Sequence, residues 1–321
     1  VGIVERREFL KRTGPAVALA AATGGTGLIF HNRDITRQRT IVTKTRSFEV
    51  APDSALPRLT LARNEDPTHA LRQALDAIGG IRRFVKPGER VTIKPNIGWD
   101  RTPAQGANTH PDLVAEMVRQ CLDAGASEVI VTDVSCNDPR RCFLRSGIRE
   151  AGERAGARVI LPVEEDYLRV RIDGVVLPTW PVLRWFVETD RLINMPVVKQ
   201  HSLSRCTIAM KNYFGLLGGR RNQLHQEIDQ SIVDLARFIG PTLTVVDATR
   251  VMVRNGPQGG SLDDVVIENT VMCATDQVAA DARGAEFLGL QPDRVGHIVL
   301  AHQSGLGTLD YRTAGYSDVS A

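Results

Sequence analysis

Aromatic side chains are scarce, at 5% of 321 residues, so any core in this chain must be aliphatic. The hydrophobic fraction of 42% is enough to bury one large or two modest domains. No cysteine stands in a CxxC pair, because Cys121, Cys136, Cys142, Cys206 and Cys273 are scattered. That spacing argues against an iron–sulfur cluster of ferredoxin type and against a structural zinc site. Cys136 and Cys142 flank the loop CNDPRRC and could either bridge in an oxidising compartment or stay free. Their odd total leaves at least one cysteine outside any intramolecular bridge. A basic run is missing too. The formal charge is +3, but residues 1–30 hold +2 of it through Arg6, Arg7, Lys11 and Arg12 against Glu5 and Glu8, leaving +1. No nucleic-acid partner is expected from that charge pattern. Internal repeats and low-complexity tracts are also lacking.

What is present begins with an address. Residues 5–11 read ERREFLK, with twin arginines, and an Ala/Gly-rich, mildly apolar stretch runs from Gly14 to Phe30. Its length and modest hydrophobicity suit a signal segment better than a membrane-spanning helix. Residues 1–30 resemble a twin-arginine (Tat) export signal, which implies the Tat machinery as a partner and a periplasmic or other extracytoplasmic location. Cleavage after Ala20 and retention as a membrane tether both stay open. Tat substrates cross folded, often with a cofactor already inserted. Residues 31–57 are polar and proline-bearing, and read as a tether.

From residue 58 to 321 the pattern is α/β. Strands are expected at residues 59–62, 91–93, 128–133, 158–161, 192–198, 243–246, 271–274 and 298–301. Helices are expected at 68–78, 111–121, 143–155, 228–239 and 278–288, and a hairpin turns around Asp173-Gly174. Trp180 and Trp185 belong to that hairpin as packing residues. Alternating strands and helices predict a mostly parallel sheet flanked by helices, open to division near residue 190 into two α/β subdomains with a site between them. In such sheets the carboxyl ends of the strands share one edge, where ligands bind.

Chemistry collects at those ends. Residues 190–221, DRLINMPVVKQHSLSRCTIAMKNYFGLLGGRR, leave an apolar strand with Lys199 and His201 on one face. They then place Lys211-Asn212 ahead of a glycine-rich turn carrying Gly215, Gly218 and Gly219. Lys94 and Asn96 follow the strand that Pro95 ends, and Asp133 and Asp247 close two others. Thr109 is expected to cap the next helix, with His110 in its first turn and Pro111 behind it. Asp281 near a helix start is read chiefly as a partner of the macrodipole. Lysines, an imidazole, amides and free backbone N–H groups suit an anionic ligand or an anionic transition state. A solvated basic loop is the bland alternative. Loops 98–109 and 254–260 read as lid or docking segments.

The motifs KPNIG, INMPVVKQHSLSRCTIAMKNYFGLLGG and ATDQVAADARGAEFLGL, with GLG at Gly305–Gly307, resemble the family called domain of unknown function 362 over about residues 56–310. The resemblance implies an α/β domain, frequently joined to a ferredoxin-like domain with two four-iron clusters. This chain lacks that cysteine array. Lys94, Asn96, Lys199, His201, Lys211 and Asn212 fall on the family's motifs. A looser fold-level analogy is to lactate-racemase-like proteins, which set lysine and histidines around a cofactor.

Two functions follow as expectations. One is an enzyme acting on an anionic small molecule or cofactor. There Lys94, Lys199 and Lys211 clamp the anion, and Asn96, Asn212 and the Gly215–Gly219 backbone act as neutral donors. His201 serves as a general acid or base titrating near the working pH. Asp133 or Asp247 orients that imidazole. A metal held by His110 and His201 ranks second, since three lysines would repel a cation. The other function is a non-catalytic cofactor- or partner-binding subunit of an exported redox assembly.

Overall fold

The computed structural model describes residues 41–44, 47–313 and 315–320, so the expected signal segment lies outside the described residues. Its central feature is a twisted sheet. Strands β1 (Leu59–Arg63), β2 (Arg90–Pro95), β3 (Glu128–Val131), β4 (Arg158–Val159), β7 (Arg191–Met195), β10 (Leu243–Met252), β11 (Val265–Ala274) and β12 (Tyr316–Asp318) are joined in the order β12-β1-β11-β10-β7-β2-β3-β4. The pairs β10–β7, β7–β2, β2–β3, β3–β4 and β12–β1 are parallel, and β11 alone runs antiparallel to both its neighbours, β10 and β1. β5 (Tyr167–Arg171) and β6 (Thr179–Leu183) form the expected hairpin. β8 (Val197–His201) continues beside β10 and pairs antiparallel with β9 (Arg205–Thr207). The architecture is therefore α/β with a large, mostly parallel sheet flanked by helices. Thr43–Ala321 make up one compact unit.

Both faces of the sheet are covered, which the near-continuous apolar strands require. Alternate residues of one strand enter opposite cores: Ile193 faces one and Leu192 the other, as do Val245 and Val246, and Cys273 and Met272. Helices α1 (Pro67–Ala77) and α2 (Pro111–Asp123) line the first core through Leu71, Leu75, Val114 and Val118. Helices α5 (Ile228–Ile239), α6 (Gln277–Glu286) and α7 (Gly296–Gln303) line the second. Asp66 starts α1 by accepting from the N–H groups of Thr68 and His69, with Pro67 in the first turn. Gly240 ends α5 in the left-handed region.

Several boundaries move. The apolar run 192–198 is two strands, broken at Pro196, which has no N–H to donate. Residues 143–155 are two short helices, α3 (Pro139–Arg145) and α4 (Ile148–Arg154), separated at the left-handed Gly147. Of the Asp173-Gly174 pair only Asp173 has positive φ, at 55°, so the turn is not the type I′ expected. Residues 298–301 lie in α7, not in a strand: four apolar residues do not distinguish the two periods. The stretch read as a tether carries Phe48, which is fully buried, and Lys44, whose Nζ donates to the carbonyls of Phe238 and Ile239 at the end of α5.

On the first face, Glu116 joins the two outer helices. Its carboxylate, on α2, accepts from Arg72 Nε at 2.6 Å and Nη2 at 2.9 Å, and from Arg119 and Gln120. Burial alone would push this carboxyl up, but the hydrogen bonds from Arg72, Gln120 and Arg119 outweigh it and pull it down to about 2. Its contribution is therefore complete above the ordinary value of 4.5 and is lost as pH falls through about 2. Glu116→Gln is expected to cost about 1–2 kcal/mol at neutral pH, discounted for the half-exposed Arg72. In urea unfolding, the gap between variant and parent should close as acid is added over that window. A gap independent of pH would contradict the assignment.

Candidate functional site

Three parallel strands deliver the first elements of the site to their carboxyl edge. Lys94 sits near the end of β2 with its ammonium fully buried, where Nζ donates to Asp133 Oδ1 at 2.7 Å and to the carbonyl of Pro95 at 2.9 Å. Asp133, just past β3, accepts with its other oxygen from the Ile97 N–H at 2.6 Å. Burial pushes the Lys94 ammonium down, and the Asp133 charge pulls it back only in part. The pair fits because residue 215 has no side chain: a Cβ there would overlap both Asp133 Oδ1 and Lys94 Nζ. Lys94, Asp133 and Gly215, far apart in the chain, are thus one packing unit.

A line of amides continues from that pair. Lys199 on β8 donates to Asn96 Oδ1 at 3.0 Å and to the carbonyl of Ala107. Asn96 Nδ2 donates to Asn212 Oδ1 at 2.9 Å, Asn212 Nδ2 to Asn194 Oδ1 at 2.8 Å, and Asn194 Nδ2 to the carbonyl of Ala209 at 3.0 Å. Each amide is both donor and acceptor, so the line fixes its own orientation. Thr109 secures it from behind, accepting the Asn96 N–H and donating to the carbonyl of Met195. Burial lowers Lys199 to about 7.

Lys211 opens a short 3₁₀ turn, Lys211–Leu216. It is buried, and among the described residues its Nζ makes no hydrogen bond; instead it lies 3.4 Å from the centroid of the Phe214 ring. Burial lowers it to about 7, with the charges of Arg221, Lys199 and Lys94 adding to the effect. His201 accepts at Nδ1 from the N–H groups of Leu203 and Ser204, which leaves the ring proton on Nε2. Burial, followed by Lys211 and Lys199, takes it down to about 3. The expectation of an imidazole titrating near working pH is corrected here: His201 is a neutral N–H donor at neutral pH.

These groups surround one cavity of about 400 Å³, lined by Lys94, Asn96, Asp133, Lys199, His201, Lys211, Asn212 and Gly215. Sequence reasoning did not single out Trp99, Phe214 or His225 for it, and assigned no role to Arg221. The His225 ring lies 6.2 Å from that of His201, stacked, and 5.5 Å from that of Phe214, edge-on. Arg221 holds the wall by donating to the carbonyls of Val134, Phe214 and Ser135. The arginine was visible at the end of the glycine-rich turn; no local signal marks His225.

Four expected residues stand elsewhere. Asp247 lies inside the ten-residue β10, not at a strand end, and accepts from the His110 N–H at 2.7 Å and from Thr249. His110, not Thr109, caps α2, its Nδ1 accepting from the Asp112 N–H. Neither residue lines the cavity with His201. Gly218 packs its α-carbon against the Tyr167 ring, and Gly219 takes a left-handed turn at φ 63°; both lie outside the cavity lining. Asp281, read as a macrodipole partner, does something more definite. Its oxygens accept the N–H groups of Ala209 and Met210, fixing the backbone that leads into Lys211. Fully buried His297 lies 3.6 Å from Asp281 and 3.6 Å from Asp229. Burial alone would lower that imidazole, but the two carboxylates and Cys206 hold it well above its ordinary value.

A family model described as "Domain of unknown function (DUF362)" matches residues 91–286. A thylakoid-associated protein of Synechocystis sp. is 25% identical over 245 residues, covering 74% of each chain. Among solved structures, lactate racemase apoprotein from Thermoanaerobacterium thermosaccharolyticum matches at 13% identity and TM-score 0.41, over 74% of this chain and 58% of that one. A protein from Thermotoga maritima matches at 12% and 0.40, over 71% and 59%. This chain therefore spans less than two thirds of those two structures. Cys121, Cys142, Cys206 and Cys273 are buried and free, Cys136 is exposed and free, and among the described residues no group of three or more His, Cys, Asp or Glu side chains is placed to hold a metal ion.

The buried pair yields a direct test. Lys94→Met leaves Asp133 buried without its counter-charge and should cost about 3–5 kcal/mol. Lys94→Met with Asp133→Leu should recover most of that loss in urea unfolding. Equal stabilities for the single variant and the parent would show that the pair does not hold this edge together.

Proposed function

The chain belongs to the DUF362 family, and on that premise we propose that it is an exported α/β enzyme whose cavity binds an anionic small molecule or cofactor. One observation carries the reading. Lys94, Lys199 and Lys211 are buried around a single cavity, yet Asp133, the one carboxylate lining it among the described residues, is already engaged with Lys94. Burying two further amines without a counter-charge is unfavourable, and an anion entering between them relieves that cost. Lys199 and Lys211 clamp it, His201 donates from Nε2, and the amides Asn96 and Asn212 keep the clamp aligned. Catalysis falls to Lys199, Lys211 and His201: unlike Lys94 they are in no internal ion pair, and unlike Arg221 they are not committed to a row of backbone carbonyls.

A second reading is a cofactor-holding subunit of an exported redox assembly. The observation favouring it is the fixed, neutral state of His201, which removes the most obvious proton shuttle. Separate His201→Asn and Lys199→Met variants divide the readings: an enzyme loses turnover beyond affinity, a holder loses affinity alone. Export by the Tat machinery, with a periplasmic destination and membrane contact only through an uncleaved segment, rests on Arg6 and Arg7. Replacing both by lysine should leave the full chain in the cytoplasm on cell fractionation. Unchanged export would remove the Tat assignment.

Anion binding has a pH signature. Lys199 and Lys211 are charged below about 7 and neutral above it, so affinity for inorganic phosphate or oxalate should fall as pH rises through that value. At a hundredfold excess over Kd, bound anion should stabilise the protein by about 2.7 kcal/mol. Lys211→Met should stabilise the empty protein by on the order of 2 kcal/mol and abolish most of the anion-induced shift. If thermal unfolding of Lys211→Met still shows the full shift, the clamp is not where we place it.

A further inference from the structure

The geometry around Lys211 assigns it a covalent role: we propose that its amine forms an imine with the carbonyl group of a small 2-oxo acid held in the cavity. The inference rests on the anion-binding reading and deepens it by naming the substrate class. Three features of the three cavity lysines separate Lys211 from the others. Lys94 is locked to Asp133 and to the Pro95 carbonyl. Lys199 is held by two acceptors, Asn96 Oδ1 and the Ala107 carbonyl. Lys211 has no hydrogen-bond acceptor among the described residues, and the face of Phe214 fills one side of its Nζ. Its lone pair, once deprotonated, has no competing partner to displace.

The environment also selects the neutral amine that such chemistry needs. The charged and titratable groups that act on Lys211 are Cys136, Arg221, Lys199, Lys94, His201, His225 and Asp133. The Cys136 thiol, when ionised, opposes its loss of a proton, as does the Asp133 carboxylate that lines the same cavity. Burial does the rest, and the amine is half neutral at a pH of about 7. A substrate carrying both a carboxylate and an adjacent carbonyl matches the site on two counts. Lys199 and Arg221 favour the carboxylate, and a cavity of about 400 Å³ admits a molecule of that size.

The step balances without an oxidant or reductant. The Nζ lone pair forms a bond to the carbonyl carbon while the carbonyl π pair moves to oxygen, which takes one amine proton. The resulting hydroxyl leaves as water together with the second amine proton, and a C=N bond remains. His201, with its proton on Nε2, is the neutral donor in the same cavity that can assist the oxygen as it departs.

Incubating the full chain with pyruvate and sodium borohydride, then mapping peptides by mass spectrometry, tests this directly. At saturating pyruvate, which offsets the weaker carboxylate binding above a pH of about 7, the expected result is a reduced adduct on Lys211 that rises in yield as pH rises through about 7 and is competed by oxalate. Lys211→Arg, checked for folding by circular dichroism, should lose the adduct at least tenfold. Phosphate or oxalate binding measured on the same wild-type sample keeps the two proposals apart. Anion binding with no adduct on Lys211 overturns the covalent role and leaves the anion site standing. Absence of both overturns both. Adducts spread over exposed lysines, insensitive to oxalate and retained in Lys211→Arg, are random surface chemistry and overturn the covalent role.

Discussion

The dominant constraint is electrostatic: three ammonium groups are kept from water beside one carboxylate. Everything local follows from that shortage of negative charge. Asp133 satisfies Lys94, and the fit is so close that residue 215 cannot carry a β-carbon. Lys199 is served by neutral oxygen atoms instead, at the end of a relay of three asparagines. Lys211 receives only an aromatic face. The order Lys94, Lys199, Lys211 is a gradient of decreasing compensation, and reactivity should follow it in reverse, since a buried amine gives up its proton most readily where least holds it.

The fold explains why such a cluster can exist. Parallel strands β2 and β7 set Lys94 level with Asn194 by backbone pairing, and β3 ends two residues short of Asp133 on the same edge. The segment 209–216 is less regular and needs fastening. That comes from α6, where Asp281, midway along the helix, accepts two backbone N–H groups and His297 sits between Asp281 and Asp229. An ionised, buried imidazole between two carboxylates is a costly arrangement unless all three stay in register. The C-terminal helices therefore hold the backbone that leads into Lys211 and Asn212 as well as covering the sheet.

Much of this was legible in the chain itself, and the failures have physical reasons. Strand periodicity and the polar residues that follow each strand pointed to Lys94, Asn96, Asp133, Lys199, His201 and Asp247 at one edge, because parallel pairing places strand ends together whatever the details of register. Asp247 misled because a strand's length is set by its partner: β11 runs antiparallel beside β10 and carries the pairing on to Met252. His110 misled because a capping residue is chosen by backbone angles, which a Thr-His-Pro string does not specify. The titration of His201 was out of reach altogether, since it depends first on burial in the folded chain and then on two lysines, one of them ten residues on. Asp281 was seen but undervalued: its partners, at 209 and 210, are some seventy positions away.

Loops 98–109 and 254–260 read as two separate flaps, and the structure ties them together. Arg101 donates to the Gly259 carbonyl, Gln105 Nε2 donates to the Gly260 carbonyl at 2.7 Å, and the Gly256 N–H reaches Gln200 on the lysine-bearing strand. Trp99 and Pro257, one from each loop, both face the cavity. The two loops are consequently fastened to one another and, through Gln200, to β8, so neither shifts without pulling on the other. For a guest bound between the lysines as proposed, residence time would be a property of that shared fastening, and a change in either segment far from any lysine would alter exchange with no change in chemistry.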